Sequence, residues 1–245
     1  MIGLIFRLSL RQLALRKSTL LLAGLALIPL LLAVTFQLSE PDVEADRWTA
    51  RTLYVSLVLT AVLPLTALLL GASTIGDELE DGTAIYLLAK PIPRWQVLLP
   101  KLLASWVVTT VLVLPAAVVA GFISLGGEGS SSLVVGFGVA IAAGGFAYTT
   151  VFVFLSVVTS RALITGLVYA FLWEGAITSL FPGARYLSIR HYSIGIADLI
   201  SDPPERVLDA DVAGGTALVL LAIVTAAAAL LANQRLEEIE VREPS

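Results

Sequence analysis

The chain has 245 residues, of which 58% are apolar and 14% charged, with a mean hydropathy of +0.93. Soluble domains carry roughly 25% charged residues, so this composition argues against an ordinary water-soluble enzyme and places the chain in the membrane class. A net charge of −4 without a basic cluster away from span ends argues against a nucleic-acid partner, and with no cysteine there is no disulfide framework, thiolate metal site or thiol nucleophile.

In chain order, Ile2–Lys17 (IGLIFRLSLRQLALRK) comes first. On a helix, Arg7, Arg11, Ala14 and Ser18 fall on one stripe, while Leu, Ile and Phe fill most of the rest. That pattern suits an interfacial helix over residues 1–17 with snorkelling arginines; the competing reading is a plain basic flank that sets topology. A spanning helix needs about 20 apolar residues to cross a hydrocarbon layer about 30 Å thick. Uncharged runs cover Ser18–Ser39, Thr52–Gly76, Leu102–Gly127, Gly129–Ser160 and Val212–Gln234, and Ala162–Ala184 is broken only by Glu174. They predict six spans, at about 18–39, 52–75, 101–125, 133–159, 162–182 and 212–234. Lipid admits only helices or closed barrels, and continuous rather than alternating apolar runs select helices. The predicted fold is therefore an all-α membrane protein with a single transmembrane domain, residues 1–245. The first run follows Arg16 and Lys17 but is too long for a signal-peptide core and has no small-residue cleavage site after it, so it reads as a retained span.

With the N-terminus in the cytoplasm, the inner side holds Arg7, Arg11, Arg16, Lys17, Lys90, Arg94, Lys101, Arg161, Arg235 and Arg242. The outer side then holds Arg47, Arg51, Arg185, Arg190 and Arg206. This excess predicts both termini inside the cell membrane. Residues 40–51 and 183–211 are then external loops, and within the latter Tyr192–Ile200 is compatible with a short helix that lies at the surface or dips in.

The charged stretch between spans two and three, residues 76–100, is then cytoplasmic. It holds Asp77, Glu78, Glu80, Asp81, Lys90 and Arg94, with Lys101 just beyond. Gly76 and Gly82 are expected to interrupt the local helix, and Pro91 and Pro93 to stop it again. Between them Thr83–Lys90 makes about two turns, with Asp77 and Glu78 near a helix start. Ordinary bundle connections are about 2–8 residues, so a longer ordered segment implies a task beyond turning the chain. Ile85, Tyr86 and Leu88 are suited to a small apolar anchor. Glu78 and Glu80 can pair with basic residues, and Arg94 and Lys101 with those acids or with lipid headgroups.

Glu174 is the one charge inside a span, a position that is functional by default. It reads either as a substrate or ion contact or as a structural carboxylate bonded to neighbouring helices or the external loop, with Arg185 or Arg190 in reach. His191, the sole histidine, cannot build a usual zinc site and reads as a surface residue. Pro29, Pro64, Pro100 and Pro115 sit in or near spans as candidate kinks, and Gly136, Gly138, Gly144 and Gly145 permit close helix packing. No G-x-x-x-x-G-K-[ST] run occurs, so the chain carries no phosphate-cradling loop of its own.

The segment resembles the cytoplasmic loop of ABC-2 type transporter permeases. The likeness rests on Glu78, Glu80, Gly82 and Thr83, then Leu87 and Leu88, then Pro91, Arg94 and Lys101, together with the six-span layout around them. The resemblance implies a membrane subunit without catalysis of its own, which couples through Asp77, Glu78, Glu80, Gly82, Thr83, Ile85, Tyr86, Leu88, Pro91 and Arg94 to a separate ABC ATP-binding subunit, two copies of it. ATP and magnesium would be bound there, and this chain would need no cofactor. Six spans are half of the usual twelve, so a second permease chain is expected, by default in a two-fold homodimer, surrounded by membrane lipid. The competing function is a stand-alone secondary transporter using Glu174 for ion coupling; an intramembrane enzyme lacks the clustered groups it needs.

Overall fold

The computed structural model describes residues 2–39, 43–80, 93–127, 130–201, 207–208 and 210–241, with side chains except at 77–80 and 239–241. Among the described residues the secondary structure is helical throughout. Six stretches are long and apolar enough to cross a membrane: Lys17–Leu38, Ala45–Gly76, Trp95–Leu125, Ser131–Val158, Ala162–Leu180 and Gly214–Glu238.

Helix α1 (Ile2–Ala14) leads in. Phe6, Leu10 and Leu13 pack against Ala104 and Val108, while Arg7 and Arg11 stay exposed. The first span is two helices, α2 (Lys17–Ala26) and α3 (Ile28–Leu38). Pro29 falls in the first turn of α3, where its missing N–H is no loss. The second span begins with α4 (Ala45–Trp48), passes through a π-helical stretch (Thr49–Val62) and ends in α5 (Leu63–Glu80). In the π stretch Ser56 and Thr60 donate to the carbonyls five residues back, Arg51 and Val55, at 2.8 and 2.7 Å.

Helix α6 (Trp95–Leu125) carries Pro100 and Pro115 inside an unbroken run and closes on Gly126 in the left-handed region, φ 60°. Helix α7 (Ser131–Val158) is the hub. It packs on α5, on α6, and on the later helices Ile189–Ile200 and Gly214–Val241. The fifth span starts as α8 (Ala162–Val168), becomes π-helical over Tyr169–Ile177 and ends in the short α9 (Thr178–Leu180). A 3-10 turn (Pro182–Leu187) then leads into α10 (Ile189–Ile200), and α11 (Gly214–Val241) is the last span.

Two sequence expectations are corrected here. Gly76 does not interrupt its helix, since α5 runs on to Glu80. One glycine costs only about 1 kcal/mol against alanine, and next to it the buried Ile75 packs with Val153 and Val157 of α7. Asp77 and Glu78 therefore sit at the end of a helix, not near its start.

The main core joins Tyr54, Leu59 and Leu63 of the second span to Phe137, Ile141, Tyr148 and Phe152 of α7 and to Tyr192 and Ile196 of α10. The apolar windows of the second and fourth spans are each 61% buried, against 22% for the fifth. Spans two and four thus form the interior, and the fifth lies at the periphery.

Candidate functional site

Helix α10 is the polar feature that an apolar bundle least requires. It is too short to span, yet Ile189 and every residue from His191 to Ala197 are buried. It runs along α7, so that Ser193 lies beside Gly144 and Ala197 and Ser201 lie beside Gly136. Helix α11 returns along its other flank, with Val212 and Ala217 against Gly195. The chain therefore leaves the fifth span, turns over Pro182–Leu187 and comes back in at the level of Glu174 before rising again as α10.

A helix that starts inside an apolar bundle has buried N–H groups without acceptors. Glu174 supplies them. It is 1% exposed. One oxygen, Oε1, accepts from the Ile189 amide at 2.9 Å and from the Tyr169 phenol at 2.9 Å. The other, Oε2, accepts from the Arg190 amide at 3.4 Å and from the Ser188 hydroxyl. Ser188 is the N-cap of α10 and its oxygen also accepts from the His191 amide at 3.2 Å. The π winding matters to this geometry. Residues five apart stack on a π-helix, and Tyr169 lies five before Glu174 on the same stretch.

Neither candidate guanidinium serves the carboxylate. Arg185 bonds to Asp211 at 2.5 Å and to the Thr178 carbonyl at 3.2 Å. Arg190 reaches the hydroxyls of Thr60 at 3.2 Å and Thr178 at 3.3 Å. The residue that touches Glu174 is Arg190 all the same, but through its backbone. The amides sit at the positive end of a helix dipole and are fixed by the fold, whereas a long guanidinium is free to seek the wetter Asp211. Arg190, on α10, thus ties the second span at Thr60 to the fifth at Thr178, whose Oγ1 donates in turn to the Glu174 carbonyl at 2.7 Å.

His191 is corrected as well. It is buried, with Nδ1 2.9 Å from Ser188 Oγ and Nε2 3.6 Å from Asp211. Burial, with Arg190 and Arg185 nearby, outweighs Asp211 and pushes its pKa down to about 4. The lowered value fixes the sign of a pH effect. Above the ordinary 6.5 the ring is neutral folded or unfolded; between 6.5 and about 4 only the unfolded chain takes up the proton. Stability contributed by neutral His191 is therefore lost as pH falls through that window. Thermal unfolding of the purified chain across it should show a flatter pH profile for His191→Gln than for the parent.

Of the residues expected to couple to a partner, Gly82, Thr83, Ile85, Tyr86, Leu88 and Pro91 lie outside the described residues. The backbone of Asp77, Glu78 and Glu80 forms the last turn of α5. Arg94 caps the start of α6 and is 4% exposed. Lys101 is equally buried and donates from Nζ to the Thr74 carbonyl at 3.1 Å, which commits it to the protein interior rather than to headgroups. Thr74 also bonds to Ser105 through its hydroxyl, so the two helices that flank residues 81–92 are laced together.

The residues that sequence reasoning missed are Tyr169, Thr178, Ser188 and Thr60. Only Ser188 carried a usable signal, a serine immediately before an apolar helical run, which is an N-cap pattern. No curated protein matches the chain at a significant level. A family model described as "ABC-2 family transporter protein" matches residues 6–174, which takes in α1 from Phe6, five of the six membrane-capable helices up to Glu174, and the charged segment after α5. The match covers well over half of the sequence, and the chain belongs to the ABC-2 transporter family.

Proposed function

We propose that the chain is the permease subunit of an ATP-driven exporter, with both termini in the cytoplasm of a cell-membrane protein. It works as a pair of permease chains, each engaged by an ATP-binding subunit. The observation that carries this reading is the family match over residues 6–174, which encloses the charged segment 76–100 between two membrane-capable helices.

Two features of the flanks support a mechanical role for that segment. The acids Asp77, Glu78 and Glu80 stand in the last turn of α5, where the helix's own dipole disfavours negative charge by about 0.3–1 kcal/mol each. A basic surface on a partner ATPase would relieve that cost. The Lys101–Thr74 bond and the Thr74–Ser105 contact then pass a pull on the segment to α5 and α6 together. From α5 it reaches α7 through shared core contacts, and from α7 it reaches α10. A partner can shift such a unit between states only by binding one state better than the other.

The test is affinity purification of the full chain from native membranes in mild detergent. A stoichiometric nucleotide-binding ATPase should come with it, and Glu78→Ala combined with Glu80→Ala should cut that association and transport together while leaving the melting temperature within error of the parent. Normal association in the double variant removes the coupling role from these residues. Absence of any ATPase across several detergents turns attention to the ion-coupled carrier.

A further inference from the structure

A half-open cavity of about 690 Å³ lies where four spans end together. It is bounded by the start of α2 at Lys17, by Gly76 of α5, by the end of α7 at Val158 and by the start of α8 at Ala162. Its volume lies in the usual range for small-ligand pockets, about 300–1,000 Å³. Its position at the ends of apolar helices sets it at the level of one bilayer interface, the layer that headgroups occupy.

The lining divides by chemistry. Arg16, Lys17 and Arg161 bring three cations from two different spans, and none of the described lining residues is acidic. Ser18, Thr159 and Ser160 also line the cavity and bring hydroxyl side chains. Lys17 and Ser18 are also the first residues of α2, whose first-turn amides have no helical acceptors. The lining also includes apolar side chains: Leu69 of the second span and Leu163 and Ile164 of the fifth are 38%, 46% and 61% exposed, so exposed apolar surface adjoins the cavity on both spans.

A cationic, donor-rich lining with exposed apolar surface adjoining it matches one chemical class, a phosphate ester that carries hydrocarbon chains. We propose that this cavity binds the headgroup of an anionic phospholipid, with the acyl chains lying along Leu163 and Ile164. The site rests on the membrane-spanning fold alone and not on coupling to an ATPase. Free inorganic phosphate shares the headgroup chemistry but makes no use of the apolar side chains, and at a bilayer interface the lipid is the source always present.

The experiment uses the full chain purified in mild non-ionic detergent, with retained lipid read by native mass spectrometry. Phosphatidylglycerol should be held in preference to phosphatidylcholine of the same acyl chains. Lys17→Gln with Arg161→Gln should weaken retention by roughly 25-fold, about fivefold for each cation lost. Arg7→Gln with Arg11→Gln removes the same charge from the exposed face of α1, where neither side chain lines the cavity, and should cost clearly less retention than the cavity pair. Ser160→Trp, which keeps every charge and fills the mouth, should also expel the lipid and guards against misfolding of the charge variant. Equal losses in the two charge variants would reduce the effect to general attraction of a basic surface and overturn the site. So would equal retention of the two lipids, or full displacement of phosphatidylglycerol by millimolar inorganic phosphate. Because no ATPase is present, these outcomes stand whether or not the exporter reading holds.

Discussion

Glu174→Ala should destabilise the folded chain by roughly 2–6 kcal/mol, since it strips acceptors from one buried and one part-buried amide at about 1–3 kcal/mol each. The amides are those of Ile189 and Arg190, and both lose their carboxylate partner at once. Tyr169 and Ser188 lose theirs too, but a hydroxyl can rotate to another acceptor and a backbone N–H cannot. The damage should be local to the start of α10. Amide hydrogen exchange at 189–191 should accelerate well before exchange in the α7 interior does. Glu174→Gln should be much milder, about 1–2 kcal/mol. Its carbonyl can sit at Oε1 and keep both the Ile189 amide and the Tyr169 phenol. Its NH2 can donate to Ser188 Oγ, whose own proton can turn to His191 Nδ1, 2.9 Å away. Only the weak 3.4 Å bond from the Arg190 amide is then without an acceptor. This contrast separates the two roles open to an intramembrane carboxylate. An anchor tolerates glutamine and fails with alanine. A proton carrier fails with both, and in glutamine it fails with stability intact. Thermal unfolding of the purified variants beside a transport assay decides between them, and the anchor is the expected result.

What the sequence disclosed follows from the range of each interaction. The membrane-capable helices were legible because the absence of charge over a long run is a local signal, and Glu174 stood out because it breaks one such run. Its partners were not legible. Ser188, Ile189 and Arg190 lie 14 to 16 residues further on, beyond the turn at Pro182–Leu187, and no periodicity reports that the chain re-enters there. Tyr169 was hidden for another reason. A spacing of five puts two residues on different faces of an α-helix, and nothing in an all-apolar stretch announces π winding. His191 was misread because polar neighbours in a connecting segment look like solvated surface, whereas here they pack inward and satisfy one another. Gly76 was misread because a local preference of about 1 kcal/mol yields readily to tertiary packing.

The close approach of α10 to its neighbours leads to the second large effect. A methyl at Gly195 would fall 2.4 Å from the Val212 carbonyl oxygen and 3.0 Å from Ala217 Cβ; at Gly136 it would fall 2.8 Å from the Ala197 carbonyl and 2.3 Å from Ser201 Oγ. The obstacles are largely backbone, so relief requires α10 to move away from α11 or α7. Overpacking of this kind costs about 1–3 kcal/mol, against at most about 1 kcal/mol regained from helix propensity. Gly195→Ala and Gly136→Ala should therefore lower the unfolding temperature. Gly24→Ala, with nothing within 4 Å of its added methyl, and Gly138→Ala, where the nearest atoms are at 3.9 Å, should hold or raise it. Equal behaviour of the four variants would mean that α10 is not held as tightly as the structure places it. Combination with Glu174→Ala sharpens the test. If the carboxylate and the glycine contacts seat one and the same element, a chain that has already released α10 has little left to lose, and the two changes should sum to less than their separate costs. Full additivity would instead make Glu174 and the glycine contacts independent supports, and the re-entrant helix would no longer be a unit that moves as a whole.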